Sequence, residues 1–192
     1  MNNRKKEIVF NKYQRELAKM VSDVDFSRYL GTGVQDKIKK YCELKNYSSI
    51  NQLLPNEKDY CIILTENSKD NGHWMCVLKY GDKIEQFDSY GGSINHELSF
   101  VPKFIRKQLG EDKDYLGMLL KKKEPSQKVI ENKEKLQNLH DGVNTCGRWT
   151  LCRILTHQFG YDLPEFQRLV KQNCKEFNVP PDILVCDWIP IA

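Results

Sequence analysis

The block from Tyr60 to Phe87 constrains this chain more than any other. Tyr60-Cys61-Ile62-Ile63-Leu64-Thr65 is a continuous β-forming run, the pattern of a strand buried on both faces. His73-Trp74-Met75-Cys76-Val77-Leu78 and Lys83-Ile84-Glu85-Gln86-Phe87 read as two further strands. Between them, Tyr80-Gly81-Asp82-Lys83 suits a two-residue hairpin turn with glycine at the first central position. Centring that turn between Gly81 and Asp82 sets the register. His73 then faces Tyr90, and Asp88 faces Met75.

Helical patterns flank this block. Residues about 5–20 carry Ile8, Val9, Tyr13, Leu17 and Met20 among charges, as an amphipathic helix does. Gly31-Thr32-Gly33 breaks the chain before an expected helix from Val34 to Leu44. A shorter helix, capped by Ser48 or Ser49, runs to Leu54. From about 97 to 140 the pattern is helical and polar, punctuated by Pro102 and Pro125. Helices near 145–159 and 163–177 follow. Pro180-Pro181 then precede Ile183-Leu184-Val185-Cys186, which reads as an edge strand. The class is α+β, a small central sheet with helices on both sides in sequence.

At 192 residues the chain is expected to form one domain, 1–192, with 1–45 as a candidate N-terminal helical extension. Hydrophobic residues at 40% and charged residues at 29% exclude wholesale disorder. No apolar run approaches the ~20 residues a spanning helix needs, so no membrane partner is expected. Ile8-Val9-Phe10 is too short for a signal-peptide core, so secretion is not expected. A net charge of +4 falls short of a dedicated nucleic-acid binder. It leaves room only for weak binding through Lys37, Lys39, Lys40 and Lys121 to Lys123, for which a solvated helix face is the plainer reading. Seven cysteines include no CxxC pair, and the four histidines combine with none of them at zinc-finger spacing, so no metal is expected. The cysteine usage suits a reducing compartment.

The chemistry begins with the hairpin. His73 and Asp88 fall on one face as diagonal neighbours, roughly 7–8 Å apart at Cα, within side-chain reach. A carboxylate there accepts the imidazole N–H and favours the imidazolium. Alone, a strand histidine beside a glycine is more often structural. The second piece is Gly142-Val143-Asn144-Thr145-Cys146-Gly147-Arg148-Trp149. Asn144 and Thr145 are N-cap types, so Cys146 falls in the first turn of a helix continued by Leu151, Ile154 and Leu155. Amides exposed there and the helix dipole favour a thiolate. Gly147 leaves room beside the sulfur, whereas Cys152 reads as an inert buried thiol. Together the pieces supply a nucleophile, a base and an orienter, in the chain order His, Asp, Cys.

Three segments now carry a resemblance: Gly72-His73-Trp74, Phe87-Asp88-Ser89-Tyr90-Gly91 and Asn144-Thr145-Cys146-Gly147-Arg148-Trp149. Over roughly residues 58–160 the chain resembles the cysteine proteases typified by adenain, the adenovirus maturation protease. That superfamily includes the SUMO-deconjugating proteases, and the forms here look closest to the branch of virophages, Polinton-type elements and large DNA viruses. The resemblance implies a small central mixed β-sheet flanked by helices, with the nucleophile at the N-terminus of a central helix. It implies Cys146 as nucleophile, His73 as general base and then acid, and Asp88 as the orienter of His73. It also implies an oxyanion held by the Cys146 backbone amide and a glutamine a few residues upstream. Here the sequence departs, because the nearest glutamine is Gln137, nine positions before the cysteine (146 − 137). Asn144 competes for that role and His140 is a third candidate. Trp74 reads as core, or, by resemblance, as the wall of a narrow cleft admitting glycine-like residues.

The function so implied is a cysteine endopeptidase that cleaves viral capsid or core precursors at Gly-Gly or Gly-X-Gly sites during virion maturation. It would act as a monomer in the virion and the host-cell cytoplasm or virus factory. It would need no cofactor beyond, at most, a DNA or peptide activator. The competing readings are a deconjugase for a ubiquitin-like protein, an acyltransferase using the same three residues, and a small basic nucleic-acid-binding virion protein.

Overall fold

The computed structural model describes residues 13–92, 98–99 and 101–191. The chain is α+β, with a five-stranded mixed sheet flanked by helices. The described chain opens in a helical stretch, 13–18, followed by α1 (Asp23–Leu30). The Ile8 and Val9 end of the expected amphipathic helix lies outside the described residues. Strands β1 (Ile38–Lys40), β2 (Tyr60–Ser68), β3 (Asn71–Tyr80), β4 (Lys83–Phe87) and β5 (Lys128–Glu131) lie side by side in chain order. The inner pairs β2–β3 and β3–β4 are antiparallel, whereas both outer pairs, β1–β2 and β4–β5, are parallel. Between β1 and β2 lies α2 (Ile50–Leu53), capped by Ser49, whose hydroxyl accepts from the Gln52 amide. Helices α3 (Lys103–Leu109) and α4 (Tyr115–Lys121) separate β4 from β5. The chain closes with α5 (Cys146–Gln158), α6 (Leu163–Phe177) and α7 (Pro181–Trp188).

The continuous apolar runs of β2 and β3 follow from burial on both faces. Ile62, Leu64, Trp74, Cys76 and Leu78 pack with α5, α6 and α7 through Trp149, Ile154, Phe166 and Leu184. The alternate residues Cys61, Ile63, Met75 and Val77 pack into a second core with Tyr41, Leu44, Ile50 and Leu116. Gly81 turns the β3–β4 hairpin at φ +54°, a value glycine adopts without strain. The register runs from Tyr80↔Lys83 to Cys76↔Phe87, which aims Asp88 toward His73.

Three elements differ from expectation. The segment Val34 to Leu44 is not one helix but two 3-10 turns, Thr32–Lys37 and Tyr41–Asn46, around β1. Pairing of Ile38 with Ile62 along the sheet overrides the local helical pattern. The stretch 97–140 is less helical than its polarity suggests, since β5 lies within it and 132–145 is irregular. The expected edge strand Ile183–Cys186 is helix α7, with Pro181 in its first turn. Proline fixes φ there and lacks an N–H that the helix would leave unpaired anyway.

Candidate active site

The nucleophile turn opens α5. Thr145 is the N-cap residue and Cys146 the first helical one, 8% exposed. Being first, Cys146 has a backbone N–H without an intrahelical acceptor. Close packing requires Gly147. A Cβ at that position would lie 2.4 Å from Cβ of Val21 and 3.1 Å from Trp74 Cδ1. From Cys146 to Ile154 every residue of α5 is buried, so the sulfur is carried on a rigid element.

His73 sits near the start of β3, its side chain 14% exposed. Its Nε2 lies 3.0 Å from Asp88 Oδ1, and the Cys146 thiol is near enough to favour the imidazolium. Burial opposes the imidazolium, but Asp88 and Cys146 outweigh it, so His73 is raised well above the ordinary histidine value. Tyr90 stacks on the imidazole at 4.7 Å and 19°, and its backbone N–H donates to Asp88 Oδ1 at 2.8 Å. Asp88 is fully buried, and Asn132 Nδ2 donates to its backbone oxygen at 2.6 Å. Asn132, itself buried at the end of β5, also accepts from Gln167 Nε2 of α6. Asn132, at the end of the parallel β4–β5 pair, therefore fixes the backbone that carries Asp88.

Gln137 is 1% exposed and held at both ends of its amide. Ser89 Oγ donates to its Oε1 at 2.8 Å, and its Nε2 donates to the Val143 carbonyl at 2.9 Å. One Nε2 hydrogen remains after that bond. Asn144 is not the N-cap that the sequence suggested. Its Nδ2 donates to the Ala18 carbonyl and its backbone N–H to that of Leu17, because the 13–22 segment runs past the helix start. His140 is exposed and bonds the Asp141 carbonyl in its own loop.

Trp74 packs in the core and also reaches the surface of a cavity beside Cys146. Its ring packs edge-on against Phe26 at 5.0 Å, and its Nε1 donates to the Val21 carbonyl at 3.0 Å. It also lines a cavity of about 680 Å³ that includes Cys146, Gly72, Leu64, Met20 and Val21. Arg148, with no exposed surface, donates to the Glu16 carbonyl, to Glu16 Oε2 and to the Ile189 carbonyl. Met20 and Val21 thus line the cavity, and Glu16 is tied to the nucleophile helix through Arg148. Of the lysines considered for phosphate binding, Lys37 pairs with Asp59, and Lys40 pairs with Glu66 and Asp70.

The structure brings together Cys146, His73, Asp88 and Trp74, and seats Gln137 in the loop behind them. Sequence reasoning missed Asn132, Asp182 and the support role of Ser89. Only Ser89, inside the Phe87–Gly91 motif, carried a signal. Among the described residues no helix is long and apolar enough to cross a membrane, and no group of three His, Cys, Asp or Glu side chains is placed to hold a metal ion.

No family model matches the chain. Over 146 residues it is 35% identical to the protein named "Uncharacterized protein V9" of Sputnik virophage, covering 76% of this chain and 81% of that one.

Proposed function

The chain belongs to the family of the Sputnik virophage V9 protein, and we propose that it is a cysteine endopeptidase that cleaves capsid or core precursors during virion maturation. The observation that carries the reading is the grouping of Asp88, His73 and Cys146, with 3.0 Å between imidazole and carboxylate and the thiol near enough to favour the imidazolium. The virophage kinship supports the viral setting, and the motif resemblance supports the Gly-Gly or Gly-X-Gly substrate.

In this reading the Cys146 sulfur attacks the scissile carbonyl carbon, and the carbonyl oxygen takes the negative charge. The Cys146 N–H and the remaining Gln137 Nε2 hydrogen stabilise that oxyanion. His73, as imidazolium, protonates the leaving amine as the C–N bond breaks, leaving a thioester on Cys146. Water then attacks the thioester, with His73 removing its proton, and the acid product leaves as the thiol returns. Asp88 keeps the ring oriented and the imidazolium stabilised throughout.

The test is cleavage of the virus's own structural precursors by wild type and variants. Cys146→Ala and His73→Ala should each lower kcat/KM by at least about 10⁴-fold, and the double variant little further. Asp88→Asn should be milder than either single change. Strong residual cleavage by a folded Cys146→Ala protein would end the proposal. Processing of a ubiquitin-like fusion, with the precursors left intact, would redirect it to the deconjugase reading.

A further inference from the structure

The carboxylate of Asp182, in the first turn of α7, joins two segments that meet nowhere else in sequence. Its Oδ1 accepts from Thr145 Oγ1 at 2.5 Å, and its Oδ2 accepts from the Asn138 backbone N–H at 2.9 Å. Thr145 immediately precedes the nucleophile and Asn138 immediately follows Gln137. Asp182 is 7% exposed and Thr145 not at all, whereas Asn138 lies at the surface.

Thr145 adds a second observation. A threonine at the N-cap ordinarily turns its oxygen to its own helix amides. Here Thr145 makes no such capping bond and donates outward to Asp182 instead. The amides of the first turn are therefore left for an anion at the sulfur.

Resting on the protease reading above, we propose that Asp182 is a positioning residue that fixes the distance between the two halves of the oxyanion site. One half is the Cys146 N–H and the other is Gln137. The loop between them is long for such a task and turns at Gly142 with φ +83°. A donor works only when held about 2.7–3.1 Å from the developing charge. Within the loop, the Gln137–Val143 bond sets one end, and the two bonds to Asp182 anchor it to the body of the protein.

The test separates oxyanion binding from thiol reactivity. The probes are a fluorogenic Gly-Gly amide substrate, the matching Gly-Gly peptide aldehyde, and iodoacetamide. With the aldehyde, the Cys146 sulfur adds to the carbonyl carbon and the thiol proton ends on the new hydroxyl oxygen, which occupies the oxyanion position. Asp182→Ala should lower kcat by about 10- to 100-fold at nearly unchanged KM and weaken the aldehyde by a similar factor. Alkylation of Cys146 should stay within about twofold of wild type, because His73 and Asp88 are untouched. Asp182→Asn should restore turnover, since its amide can accept from Asn138 and donate to Thr145. A folded Asp182→Ala protein that binds the aldehyde as tightly as wild type overturns the proposal. If Asp182→Ala does not melt cooperatively, Thr145→Val decides: it must show the same loss, and wild-type turnover there overturns the proposal equally. A wild type that neither cleaves the amide nor binds the aldehyde refutes the protease reading itself, and this inference falls with it.

Discussion

Gln137 and Asn144 both carry a side-chain amide near the nucleophile, and their hydrogen bonds assign them different work. Gln137 is clamped between Ser89 and Val143, and one Nε2 hydrogen is left over from those two bonds. Asn144 is spent on the Ala18 carbonyl. Gln137→Ala should lower kcat about 10²–10³-fold. It should also lower stability by about 1–3 kcal/mol, since the Ser89 hydroxyl and the Val143 carbonyl lose a buried partner. Asn144→Ala should leave kcat within a few fold and loosen only the 13–22 segment. Steady-state kinetics with parallel thermal melts checks both, and the opposite pattern would make Asn144 the oxyanion donor. At this scale the sequence was most legible where a short rule applied. Strand alternation across a two-residue turn places His73 beside Asp88, and an N-cap followed by a helical pattern places Cys146 at a helix start. Asn132 and Asp182 obey no such rule, because chain closure from residues 44 and 37 positions away brings them to Asp88 and Thr145.

Among the elements, β2 and β3 were legible because a sheet covered on both sides demands continuous apolar runs. The outer strands were not. β1 is Ile-Lys-Lys and β5 is Lys-Val-Ile-Glu, too short and too charged for any period to declare itself. Lysines on such edges discourage pairing with another chain. The end of β2 has its own cover: Glu111, just beyond α3, accepts the Glu66 backbone N–H through both carboxylate oxygens at 3.2 Å. Burial pushes Glu111 up to about 7, reinforced by the Glu66 charge and opposed by that amide bond, Arg106 and Lys40. Above about pH 4.5 the unfolded chain has released this proton while the folded chain keeps it until about 7. Stability from this group is therefore full at the acid end and falls as pH rises through that window. The loss amounts to at most about 3 kcal/mol. Glu111→Gln keeps an acceptor for Glu66 without the proton. Its melting temperature should change less between pH 5 and 7 than that of wild type, and equal slopes would show that Glu111 is not the titrating group.

Over the whole molecule, both ends of the described chain converge on the nucleophile helix. Arg148 binds Glu16 and Ile189 together, Lys19 Nζ reaches the Ile191 carbonyl, and the Tyr29 hydroxyl donates to the Pro190 carbonyl. Residues 16–21 and the tail after α7 thus close around α5, so the site depends on both ends of the described chain. The same fold sorts its seven cysteines. Burial pushes the Cys61 and Cys152 thiols up to about 12 and Cys186 to about 11, and it raises Cys42, Cys76 and Cys174 as well. Among the described residues, Cys146 is the cysteine that acts on an imidazole held by a buried carboxylate. The most direct measurement of the central claim is therefore the alkylation rate of each cysteine by iodoacetamide near neutral pH, mapped by mass spectrometry. Wild type should be labelled first at Cys146, and His73→Ala should slow that site while leaving the other six unchanged. Labelling of Cys42 or Cys174 ahead of Cys146 in folded wild type, with no response to His73→Ala, would contradict the account.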